Sequence, residues 1–90
     1  MITQNDFIFI TGGSGFIGTN LIELFEEKGY KFVNYDKVPA TKKEQSKYWF
    51  EGNIMDKKQL AEAFEKFKPT IVIHLAARTD TISDKLEDYI

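Results

Sequence analysis

The chain has 90 residues, 12 of them basic and 14 acidic, for a net charge of -2, and it contains no cysteine. A chain of this length makes one small domain that buries only about 60 to 65% of its unfolded surface. The charge balance gives no footprint for nucleic acid or an anionic membrane, and the missing cysteines exclude disulfides, thiolate metal sites and cysteine nucleophiles. No apolar run approaches the ~20 residues of a membrane span, and Met1 to Asp6 does not have the pattern of a signal peptide, so a soluble cytoplasmic protein is expected.

Phe7 to Thr11 is an apolar run that leads directly into glycines at positions 12, 13, 15 and 18. Such near-continuous apolar character suits a strand covered on both faces of a parallel sheet. From Phe16 the period becomes helical, with Ile17, Leu21, Leu24, Phe25 and Lys28 on one expected stripe and Gly29 placed as a left-handed cap. Lys31 to Asp36 reads as a second strand, and Lys37 to Ser46 as a polar connection without helical period. Lys47 to Phe50 then reads as a short aromatic strand.

Asp56 followed by Gln59 three residues later is a capping-box variant, which opens a helix marked by Leu60, Phe64 and Phe67 and stopped at Pro69. Thr70 to Ala76 is rich in β-branched residues, as a central strand would be. Thr81 to Ser83 offers caps for a last helix through Leu86 and Tyr89. Together these elements predict an α/β fold. It is the N-terminal part of a Rossmann-type, doubly wound parallel sheet, with strands ordered 3-2-1-4 and helices on both faces. Residues 1–90 then form one NAD(P)-binding domain fragment. With no further strand beside it, Thr70 to Ala76 becomes an apolar sheet edge, which predicts self-pairing into a homo-oligomer.

The chemistry lies in Gly12-x-x-Gly15-x-x-Gly18. In the dinucleotide fingerprint the first glycine permits the tight turn, the second lets a pyrophosphate approach the backbone, and the third permits close packing of the following helix. A glycine-rich turn can also serve only to reverse the chain. Here it follows a strand, opens a helix, and precedes an acidic strand-end residue, Asp36, at the fingerprint spacing. The rival triphosphate loop requires lysine where this chain has Thr19. Asp36 would accept the adenosine ribose hydroxyls and repel a 2′-phosphate, so NAD is favoured over NADP. Lys37 borders the same position, and with Lys42, Lys43 and Lys47 it is the feature that speaks for NADP. His74, the only histidine, lies in an apolar strand and reads as structural.

Thr11 to Gly18, Asp36, the segment Gly52-Asn53-Ile54-Met55-Asp56 and the segment His74-Leu75-Ala76-Ala77 together resemble the extended short-chain dehydrogenases, specifically the nucleotide-sugar epimerases and dehydratases. The resemblance implies that the N–H groups of Phe16 and Ile17 face the pyrophosphate and Asp36 holds the ribose. It also implies that Asn53 and Ile54 flank the adenine, with Asn53 replacing a more usual aspartate, and that Leu75, Ala76 and Ala77 line the path to the nicotinamide. The family's catalytic Tyr-x-x-x-Lys pair is not in this chain, because the residues four beyond Tyr30, Tyr35 and Tyr48 are Asn34, Pro39 and Gly52. No catalytic residue or metal ligand is therefore assigned. The chain is expected to bind a dinucleotide without turning over substrate alone, a nucleotide sugar being a partner only of a longer parent. The alternative is a non-catalytic Rossmann-like module or interaction domain.

Overall fold

A computed structural model describes residues 2–76. Strands β1 (Phe7–Thr11), β2 (Lys31–Asp36), β3 (Trp49–Glu51) and β4 (Ile71–His74) form a parallel sheet in the order β3-β2-β1-β4. Helix α1 (Phe16–Lys28) joins β1 to β2, and α2 (Lys57–Phe67) joins β3 to β4.

Strand alternation assigns the two helices to opposite faces. Ile8 and Ile10 of β1 and Phe32 of β2 pack with Ile22 and Phe25 of α1. Phe7 and Phe9 point the other way, where Val33, Tyr35 and Phe50 meet Leu60, Ala63 and Phe67 of α2. Phe9 lies at the centre of that layer, with ring centroids 4.7 Å from Phe64 and 5.1 Å from Tyr35. Each such fully buried apolar side chain stabilises the fold by about 1.5–3 kcal/mol.

The expected stripe on α1 forms in part: Phe25 is buried and Leu21 packs against the core, but Ile17 and Leu24 turn outward. Ile17 is 67% and Leu24 43% exposed, whereas Gly18, Thr19, Ile22 and Phe25 are buried. The cause is Gly18, whose missing side chain lets the helix press onto Gly13 and turns the 18-22-25 stripe inward. Thr19 is accommodated because its hydroxyl donates to Gly15 O at 2.7 Å.

The connection from β2 to β3 also differs from the expected irregular segment. Lys43–Tyr48 forms a 3-10 helix, and the third strand begins at Trp49 rather than Lys47. Long-range contacts account for this. Gln45 is buried and donates to Thr19 O at 3.0 Å, and the Tyr48 ring lies on Phe32 with centroids 4.3 Å apart.

The capping pair of α2 forms with one change. Asp56 Oδ1 accepts the Gln59 N–H at 3.0 Å, but Gln59 Oε1 accepts from Asn53 N rather than from Asp56 N. The helix ends at Phe67, with Lys68 in the left-handed conformation (φ 46°) before Pro69.

Strand β4 lies at an edge of the described sheet. It is shorter than the expected Thr70 to Ala76 run, although Thr70 N and Leu75 N extend its bonding to Phe7 O and Thr11 O, both at 2.9 Å. Among the described residues no helix is long and apolar enough to cross a membrane. Ala77 and the expected helix from Thr81 to Tyr89 lie outside the described residues.

Candidate functional site

The four strands deliver their C-terminal ends to one side of the sheet, and the loops that follow them enclose a cavity of about 490 Å³. This is where open α/β sheets place ligands, at the point where strand order reverses. Gly12 and Gly15 from the turn, Asp36 at the end of β2 and Lys37 beyond it, Asn53 and Ile54 after β3, and Leu75 and Ala76 after β4 all line it. The sheet thus gathers eight of the expected binding residues from segments as distant in the chain as Gly12 and Ala76. Phe16, Ile17 and Gly18 do not line the cavity. Gly18 is buried, and the side chains of Phe16 (85%) and Ile17 are exposed at the start of α1.

Two glycines of the turn have separable reasons. Gly12 has φ +72°, and a Cβ there would come within 2.6 Å of Ala76 N, so both backbone conformation and packing demand glycine. Gly15 has φ -79°, an ordinary value, and its Cβ would meet nothing closer than Gly12 O at 3.8 Å. Neither strain nor protein packing requires glycine at position 15, and the space its side chain would fill belongs to the cavity wall.

Helix α1 begins at that wall without a cap. Gly15 supplies no side-chain acceptor, and the first turn holds no acidic residue. The N–H groups of Phe16 and Ile17 therefore have no acceptor among the described residues, as helix geometry dictates for an uncapped end. They form a partial positive charge at the end of the helix dipole.

Asp36 is held in place by backbone donors. Its Oδ2 accepts from Ser14 N at 3.0 Å and its Oδ1 from Val38 N at 3.1 Å. Ser14, which the sequence did not single out, also donates its hydroxyl to Val38 O at 2.7 Å and accepts from Asn34 Nδ2 at 3.1 Å. Its carbonyl accepts from the Thr41 hydroxyl at 2.6 Å. The buried Asn34 completes the mesh by accepting the Gly13 N–H at 2.9 Å. A polar residue in the middle of an apolar strand was the sequence signal for this mesh. Its partners are 20 or 21 residues away and left no local trace.

The lysines divide. Lys42 pairs with Glu23 at 2.8 Å, which raises the Lys42 pKa and lowers that of Glu23, and Lys47 lies 3.5 Å from Glu26. Both are directed to acids of α1, and among the described residues Lys37 is the one lysine that borders the cavity. Val38, Met55 and Tyr35 also line it. Tyr35 is fully buried and its hydroxyl has no partner among the described residues; burial, then the charges of Asp56 and Glu62, push its pKa up. Among the described residues no group of three or more His, Asp or Glu side chains could hold a metal.

Sheet order, crossovers and the glycine turn define the class as a Rossmann-type α/β unit of the kind found at the N-terminus of epimerases. The chain belongs to the NAD dependent epimerase/dehydratase family, whose model matches residues 8–89. It is 31% identical over 87 residues to UDP-glucose 4-epimerase of Rhizobium meliloti (strain 1021), covering 94% of this chain and 26% of that protein. It is 40% identical over 83 residues to dTDP-D-glucose 4,6-dehydratase of Dictyostelium discoideum, covering 80% of this chain and 19% of that one. Among solved structures, the UDP-glucose 4-epimerase of Thermus thermophilus in complex with NAD superposes with a TM-score of 0.72 at 29% identity. That match covers 92% of this chain and 29% of the other. The chain therefore spans about a quarter of the length of the proteins it matches.

Proposed function

We propose that this chain is a domain that binds NAD at the cavity where the strands end. The observation that carries the reading is the uncapped start of α1 beside Gly15. Gly15, which carries no side chain, lines the cavity of about 490 Å³, and the unbonded N–H groups of Phe16 and Ile17 follow it directly in the chain. A pyrophosphate supplies the negative oxygens that such a helix end otherwise takes from a capping side chain. Asp36, already oriented by Ser14 and Val38, accepts the adenosine ribose hydroxyls. Asn53 and Ile54 flank the adenine, Lys37 borders the ribose from solvent, and Leu75 and Ala76 border the nicotinamide. The NAD-bound relative supports the choice of ligand.

Titration calorimetry with NAD and NADP side by side tests this reading. NAD is expected to bind and NADP to bind more weakly, since the Asp36 carboxylate repels a 2′-phosphate. No heat with either dinucleotide overturns it, and favours a module whose glycines serve the turn alone.

In a longer protein carrying this segment, the reaction is epimerisation or dehydration of a nucleotide sugar, as the relatives' names indicate, and the family resemblance implies that it runs through hydride transfer. Bound NAD supplies the hydride acceptor. This chain's own residues bind and orient it, and the proton acceptor for the sugar hydroxyl comes from outside these 90 residues, which hold no Tyr-x-x-x-Lys pair. Incubation of the 90-residue chain with NAD and UDP-glucose or dTDP-glucose is expected to give no product, and turnover would contradict this division. Self-association through β4 is part of the same reading. Light scattering is expected to show a dimer or larger species, and a monomer at high concentration counts against it.

A further inference from the structure

Thr11 and His74 are register partners at the ends of β1 and β4, each one residue before a residue that lines the cavity, Gly12 and Leu75. The Thr11 hydroxyl oxygen lies 2.7 Å from His74 Nδ1. It also receives the Ala76 N–H at 3.4 Å and a share of the Leu75 N–H at 3.2 Å, the latter bonded to Thr11 O as well at 2.9 Å. A hydroxyl has two acceptor lone pairs and one proton. Two backbone N–H groups occupy the lone pairs, so the proton is left for His74 Nδ1. The opposite arrangement, a proton on Nδ1, would aim three N–H groups at one oxygen. It would also leave the hydroxyl proton of a buried threonine without an acceptor among the described residues.

The consequence reaches the cavity. Leu75 and Ala76 form part of its wall, and Ala76 N lies so close to Gly12 that a Cβ there would come within 2.6 Å. We propose that His74 is a positioning residue for the cofactor cavity. Protonated on Nε2, it takes the Thr11 hydroxyl proton on Nδ1 and so directs that oxygen's lone pairs to hold the Leu75–Ala76 backbone against Gly12. The link to the cofactor rests on the NAD reading above, and the hydrogen-bond direction does not.

Because His74 is the only histidine, 15N labelling of histidine gives one pair of ring signals. The expected spectrum of the wild-type chain has the proton on Nε2, and the Nδ1 resonance moves in a folded Thr11→Val variant. A proton on Nδ1 overturns the proposal outright. The second arm compares His74→Asn, whose amide oxygen replaces Nδ1 as acceptor, with His74→Leu, which has no acceptor. The leucine variant is expected to shift the Leu75 and Ala76 amide resonances and to weaken NAD binding by roughly 3- to 10-fold. The asparagine variant should leave the amides in place and binding within about twofold of wild type. Equal behaviour of the two variants, in either direction, overturns it. If the wild-type chain fails to bind NAD, the functional reading falls, while the ring signals and the two amides still decide the role of His74.

Discussion

The N-termini of α1 and α2 lie at the same end of the sheet and are finished in opposite ways. At α2, Asp56 accepts the Gln59 N–H, and Gln59 in turn accepts the Asn53 N–H, so side chains close the helix end and the loop before it. At α1 the cap position is Gly15, with no side-chain acceptor and no acid in the first turn. Glycine in place of a capping side chain costs a few tenths of a kcal/mol of helix stability, roughly 0.3 kcal/mol. The chain bears that cost only at the end that opens on the Gly12–Gly15 side of the cavity. On the proposed reading, the α2 end is closed by its own side chains, while the start of α1 is left for the NAD pyrophosphate to complete.

Transplanting the α2 solution onto α1 should break the contrast most severely. Gly15→Asp supplies the missing cap, so the melting temperature of the free chain is expected to hold or rise. Its carboxylate occupies the anion position, so NAD binding should fall below detection by calorimetry. Next in size is Asp36→Ala. Loss of charge-assisted bonds to the ribose costs about 1.5–3 kcal/mol, or roughly 10- to 150-fold in NAD affinity, and narrows the preference over NADP. Unchanged affinity would remove Asp36 from the site.

The reverse operation, Asp56→Ala, should lower stability by about 0.5–2 kcal/mol in chemical denaturation and leave NAD affinity within about threefold. The smallest effect concerns Tyr35. Its pKa is raised by burial, so its contribution to stability is present below the ordinary phenol value of about 10 and is lost as pH rises through the folded-state value. Since the hydroxyl has no partner among the described residues, Tyr35→Phe is expected to leave stability at neutral pH unchanged or slightly higher. It should also flatten the alkaline fall, which thermal melts across the alkaline range would register. A variant that melts well below wild type at neutral pH would mean that the hydroxyl is bonded after all.

The features written locally in the chain were the legible ones. β1, β2 and both helices follow from apolar runs, the glycine turn and the Asp56 cap, and the sheet order follows from crossover handedness. The misreadings arose where distant contacts decide. Gly18 has no hydropathy to count, yet its approach to Gly13 sets which face of α1 is buried. Tyr48 looked like part of a strand but packs against Phe32 from a 3-10 turn. At the site, Gly12, Asp36 and the Asn53–Ile54 pair were legible by spacing and resemblance. Ser14 was not, because its role comes from four bonds to residues 20 to 27 positions away.

The most direct test of the open α1 terminus is an amide NMR titration with NAD. If the anion completes α1, the Phe16 and Ile17 amide resonances move in step with binding, while those of Lys57 and Lys58 at the capped start of α2 stay in place. Saturation with NAD that leaves Phe16 and Ile17 unmoved, or that moves the two helix ends alike, would contradict the account.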